Sequence, residues 1–220
     1  MIKECVQTYR EALNYSIGKS DGNRSSKRTD ILNAKIASLI KDSLPDPNNW
    51  EDASEVRIPC TRATVNNPNK TFSIDLVFTH KHTGRKIYTL LKSIESSYNK
   101  NKENFANCTV GEVERIYGTG TLHGNTLRNL RKDDVTLFFT LVPERLPNSG
   151  STEKVNYTVP HIDNLRMFNK NIHQVSVILE CSADPTDKQQ LFDFITGNVI
   201  NTDKVEESFG EFIDNVKSVL

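Results

Sequence analysis

The sequence predicts an α/β protein with a mixed β-sheet core flanked by helices. Three observations predict it. Residues 72–79 alternate as a strand, turn at Thr83-Gly84 and return through residues 87–94. Val135–Val142 is nearly continuously apolar and rich in β-formers, the mark of a central strand. Apolar stripes at helical spacing occupy both ends of the chain. No repeat and no linker-like stretch divides the 220 residues, so one domain spanning 1–220 is expected.

Cys5, Tyr9, Leu13 and Ile17 recur every four residues and predict a first helix over 2–17. The Gly18–Asn23 segment ends it. Its Gly-Lys-Ser triplet lacks the upstream glycine spacing and the preceding buried strand of a phosphate loop. Thr29 or Asp30 caps a second helix, whose buried face runs from Ile31 to Leu44 before Pro45 and Pro47 stop it. Glu55–Ala63 reads as a strand. In the next, Phe72, Ile74, Leu76 and Phe78 share one face, with Ser73, Asp75, Val77 and Thr79 on the other. On the return strand Tyr88, Leu90, Lys92 and Ile94 share a face. A polar segment, 95–108, leads into a helix through Val113, Ile116 and Tyr117, where Thr109 and Glu112 have capping-box spacing. Val175–Leu179 gives a further strand. Pro185–Ile195 and Val205–Val219 read as helices, the last docked on the core.

Apolar content of 36% and charged content of 25% fit a globular chain, and the formal net charge of zero argues against a generic polycation. No apolar run approaches the roughly 18 residues of a membrane span. The Met1-Ile2-Lys3-Glu4 start lacks a secretory apolar block, so a cytoplasmic, non-membrane protein is expected. Cys5, Cys60, Cys108 and Cys181 are scattered, which argues against a zinc site or a disulfide framework. The histidines show no metal-binding spacing, and His80 and His82 flank a turn, where exposure is expected.

Two charges stand inside apolar strands, Asp75 on the outgoing arm of the hairpin and Lys92 on the return. Buried alone, each is costly, so each needs a partner. A carboxylate and an ammonium on adjacent strands form a minimal site for a metal ion and a phosphate. They equally form a buried salt bridge, and both readings stand at this point.

With these residues the chain resembles the restriction-endonuclease-like superfamily of PD-(D/E)xK nucleases, over a core of about 29–142. The resemblance implies the restriction-endonuclease-like version of the mixed sheet. It implies a Mg²⁺-dependent, sequence-specific endonuclease of restriction type, acting on a palindromic site in double-stranded DNA as a homodimer. Asp75 matches the first metal-binding acid and Lys92 the catalytic lysine. The second acid belongs at position 90, where this chain has Leu90. The resemblance assigns the metal to Asp75, with Glu103 and Glu95 as completing carboxylates; Glu112 and Asp30 are further candidates. Alternatively, Leu90 marks a disabled, DNA-binding relative of the same fold.

The segment after Lys92 is dense in nucleic-acid-directed side chains. Asn99 and Asn101 suit base edges, and Lys100 and Lys102 suit phosphates. A solvated loop is the plainer reading of that segment. Arg128 and Arg131, three residues apart, extend the expected positive wall, together with Arg115 and Lys132.

Overall fold

Six strands form one mixed sheet, in the spatial order Trp50–Pro59, Thr71–His80, Lys86–Ser93, Val135–Pro143, Ile172–Cys181 and Ile195–Val199. The computed structural model describes residues 1–17, 26–59, 71–95, 110–118, 121–122, 125–147 and 169–220. Strands β1 (Trp50–Pro59), β2 (Thr71–His80) and β3 (Lys86–Ser93) make the expected antiparallel meander. The β2–β3 turn uses Gly84 at φ 69°, a left-handed conformation that suits glycine. Helix α3 (residues 110–117), the short pair β4 (Thr121–Leu122) and β5 (Asn125–Thr126), and the single turn α4 (Leu127–Leu130) lie between β3 and β6. Strand β6 (Val135–Pro143) then runs parallel to β3, and β7 (Ile172–Cys181) runs parallel to β6. After α5 (Lys188–Phe194), β8 (Ile195–Val199) closes the sheet antiparallel to β7.

Among the described residues, the two faces of the sheet carry apolar clusters of different size. The larger apolar cluster joins Ile87, Leu137, Phe139 and Val175 to side chains of α1 (Ile2–Ser16), α2 (Ser26–Ser43) and α6 (Thr202–Val219). The opposite face carries a smaller cluster, in which Val113, Ile116 and Tyr117 of α3 pack on Tyr88, Leu90 and Phe138. No described helix is long and apolar enough to cross a membrane.

Several boundaries differ from the sequence reading, each for a local reason. Strand β1 begins at Trp50 rather than Glu55. The Trp50 ring is buried and its Nε1 donates to the Pro45 carbonyl at 2.8 Å, which starts the strand straight after the prolines. Asp187 caps the Gln190 amide at 2.8 Å and starts α5 there, and the chain enters β8 at Ile195 where the helix was expected to end. His80 is buried against Trp50 and hydrogen-bonded to Thr83 rather than exposed; His82 is exposed. Cys181 is buried as expected, and burial raises its thiol pKa to about 11; Cys60 and Cys108 lie outside the described residues.

The most consequential difference is in β2. Its even-numbered residues do not keep one face. Ile74 belongs to the smaller cluster, while Leu76 and Phe78 belong to the larger one. The strand rolls over at Asp75. Register pairs Ser54–Leu76 and Val56–Ile74 bracket that position and set Glu55 opposite it. Glu55 has φ 51°, an uncommon conformation for a residue with a side chain. The irregularity therefore occupies both strands at one level of the sheet.

Candidate functional site

Asp75 sits where β2 and β3 part. Their ladder runs from Thr79–Lys86 to Leu76–Thr89 and stops, whereas β3 stays paired with β6 through Ser93. Beyond Thr89 the β2-facing amides of β3 need another acceptor, because buried backbone donors are rarely left unpaired. The Asp75 carboxylate supplies it: Oδ2 accepts from the Leu91 amide at 2.7 Å. Burial raises the pKa of Asp75. Lys92 and the Leu91 amide oppose that rise, and the charges of Glu112 and Glu55 add to it. The electrostatic neighbours of Asp75 thus include one lysine and two further carboxylates.

Lys92 follows Tyr88 and Leu90 on the face that carries α3, and its Nζ donates to Glu112 Oε1 at 3.1 Å. Glu112 is there because α3 packs Val113, Ile116 and Tyr117 into the sheet, and residues 112 and 116 share a helix face. Its second oxygen, Oε2, is buried with no hydrogen-bond partner among the described residues. An anionic oxygen in that situation is costly unless something completes its shell. Asp75, Lys92 and Glu112 come from three elements, yet they form one electrostatic group.

These donors suit a hard divalent cation. Mg²⁺ is commonly held by one or two carboxylates, the remaining positions being taken by water and substrate oxygens. Asp75 and Glu112 provide two carboxylates, and among the described residues Glu112 Oε2 has no hydrogen-bond donor. Among the described residues no group of three or more His, Cys, Asp and Glu side chains is gathered as a ready metal site. The fit is to a cation that keeps several of its own waters, not to a closed protein cage.

The other expected site residues fall in different places. Leu90 is 1% exposed and packed in the apolar layer beneath α3. Glu95 is drawn to the opposite layer. It pairs with Arg28 Nε and, at 3.4 Å, with Lys188 Nζ, and it accepts from Ser16 Oγ at 3.0 Å. Those partners lie on α2, α5 and α1, so Glu95 ties helices together below the end of β3. Asp30 is exposed on α2. Arg131, expected on a DNA-facing wall, is turned inward and is 7% exposed; its guanidinium donates to backbone carbonyls. Arg115 is half-buried over the Phe72 ring, and Lys132 is exposed. Glu103, Asn99, Lys100, Asn101 and Lys102 lie outside the described residues, as does the Arg128 side chain.

Glu112, one of the further candidates for the missing acid, also carried a helical signal beyond its capping-box spacing. A carboxylate placed one turn before Ile116 and next to Val113 borders the apolar stripe of a short helix. The role of Glu55 had no such signal, since it depends on cross-strand register and a positive φ. In comparisons with known proteins, no protein family, no curated protein and no solved structure matches this chain.

Proposed function

We propose that the chain is a Mg²⁺-dependent endonuclease of restriction type that hydrolyses phosphodiester bonds in double-stranded DNA. The observation that carries this reading is the convergence of Asp75, Lys92 and Glu112, with a buried Glu112 oxygen lacking a hydrogen-bond partner among the described residues. Glu112 takes the part of the acid absent at Leu90. The order α2-β1-β2-β3-α3-β6, with β3 and β6 parallel, supports a restriction-endonuclease-like core. In the proposed enzyme, two copies bind a palindromic site and each cuts one strand, so the symmetry of the protein mirrors that of its target.

Hydrolysis joins a water oxygen to phosphorus and releases the leaving oxygen of the phosphodiester. Asp75 and Glu112 would hold the cation, which supplies charge neutralisation on the phosphoryl group and activation of water. The Lys92 ammonium lies beside those carboxylates and stabilises negative charge that develops on phosphoryl oxygens. The Leu91 amide fixes the direction of the Asp75 carboxylate, so the ligand is oriented before anything binds.

The test is cleavage of a supercoiled plasmid in Mg²⁺. Asp75→Ala and Lys92→Ala each abolish cleavage while retaining the fold; full activity in both variants overturns the site assignment. The apolar burial of Leu90 favours a second reading, a DNA-binding protein of the same fold without catalysis. Salt-sensitive duplex binding with no cleavage in Mg²⁺ or Mn²⁺ would establish that reading instead.

A further inference from the structure

Helix α3, like most helices in proteins, owes its stability to packing rather than to its own propensity. Its position, and so that of Glu112, is set by whatever grips it. Two residues do so at its C-terminal end. Arg131 Nη1 donates to the Ile116 carbonyl at 2.9 Å, one turn after Glu112, and Nη2 donates to the Pro59 carbonyl at 3.0 Å. The same guanidinium lies over the Tyr88 ring, 5.8 Å from its centroid. Tyr117 adds a second hold through its hydroxyl, which is 3.2 Å from the Asp134 carbonyl and 2.6 Å from Thr136 Oγ1.

A cation at a helix C-terminus satisfies carbonyls that have no intrahelical partner and opposes the negative end of the helix dipole. Arg131 does this while reaching the end of β1 and the face of a β3 side chain. It therefore connects helix α3 to β1 and β3, the strands on either side of β2, which carries Asp75. A planar fork with several fixed donors can hold two carbonyls at once, which a lysine ammonium does less well.

We propose that Arg131 is a positioning residue for the Glu112 carboxylate, acting through helix α3 rather than by touching DNA. The inference rests on the reading of Asp75, Lys92 and Glu112 as a phosphodiester-cleaving site. Its first test needs no activity. E112Q, which breaks the pair with Lys92, lowers the denaturant midpoint of the wild type. In an R131M background, or an R131K one, the same substitution lowers it little, because Glu112 no longer meets Lys92. Should R131M fail to fold, Y117F provides the milder form of the experiment. An E112Q shift of equal size in the wild type, R131M and Y117F overturns the proposal.

The second test separates bracing from DNA contact. R131M leaves the salt dependence of duplex binding in Ca²⁺ unchanged, yet lowers kcat in Mg²⁺ by about a hundredfold. The R131M/E112Q double variant is no slower than E112Q alone. A salt slope reduced by about one would mark a phosphate contact and overturn the proposal. Absence of cleavage by the wild type overturns the functional reading, and the unfolding comparison still decides the role of Arg131.

Discussion

The Leu91 amide donates to Asp75 Oδ2 at 2.7 Å at the level where the β2–β3 ladder has ended. A side chain thus does what a strand carbonyl would otherwise do. The carboxylate is fixed and half-buried, and it lies among the charges of Lys92, Glu112 and Glu55. On the proposed reading, stability and chemistry are opposed at this residue, and the opposition is measurable.

Burial raises the folded-state pKa of Asp75 above its unfolded value near 3.9. Between the two values the folded chain binds more protons than the unfolded one, so stability falls as pH rises. The contribution of the protonated acid is complete below the unfolded pKa and is lost as pH passes through the folded one. Asp75→Asn is therefore expected to raise Tm at neutral pH and to abolish Mg²⁺-dependent cleavage. Its Tm advantage over the wild type shrinks towards zero as the pH falls to about 4. Thermal unfolding of both proteins across this range checks it, and an Asn variant less stable at pH 7 would contradict the stated balance.

Restoring an acid at position 90 is expected to harm the protein. Leu90 lies in the layer formed by Val113, Ile116 and Phe138, with 1% of its surface exposed. Leu90→Glu removes apolar packing and introduces a carboxylate among apolar side chains, at a cost of about 2–5 kcal/mol. Urea unfolding measures that loss, and no new cleavage accompanies it. A stable variant with enhanced cleavage would show that position 90 reaches the site.

On the proposed reading, Glu95 is a structural carboxylate and Glu112 a functional one. Glu95→Gln leaves Arg28 and Lys188 without their buried counter-charge, and a loss of about 3–5 kcal/mol is expected. The Mg²⁺ concentration needed for half-maximal cleavage stays as in the wild type. Glu112→Gln has the opposite profile: it breaks only the pair with Lys92, so it lowers the midpoint measurably but less than Glu95→Gln does, and metal affinity falls greatly. Denaturant midpoints and Mg²⁺ titrations of the two variants, taken side by side, decide the matter.

The α/β class was legible in the alternation of 72–79 and 87–94 and in the apolar run at 135–142, because strand period and continuous burial are local signals. The roll of β2 at Asp75 was not. Alternation on paper is the same whether or not the strand turns over, and the turn depends on Glu55 across the ladder. Asp75 and Lys92 could be singled out as charges in apolar runs, and they do share one electrostatic group. Arg131 misled because two arginines three residues apart read as one exposed face. Its acceptors, the Ile116 and Pro59 carbonyls, are 15 and 72 residues away. Strand β8 was hidden behind α5, since Ile195 ends the helix without a glycine or proline to mark the change.

The most direct measurement is the anomalous scattering of Mn²⁺ in crystals of the wild-type protein, with Glu112→Gln crystals as control. The expected result is a single strong peak in contact with the carboxylates of both Asp75 and Glu112, lost in the variant. A peak at Glu95, or no peak beside Asp75 at saturating Mn²⁺, would contradict the assignment of Glu112 as the acid that stands in for the one absent at Leu90.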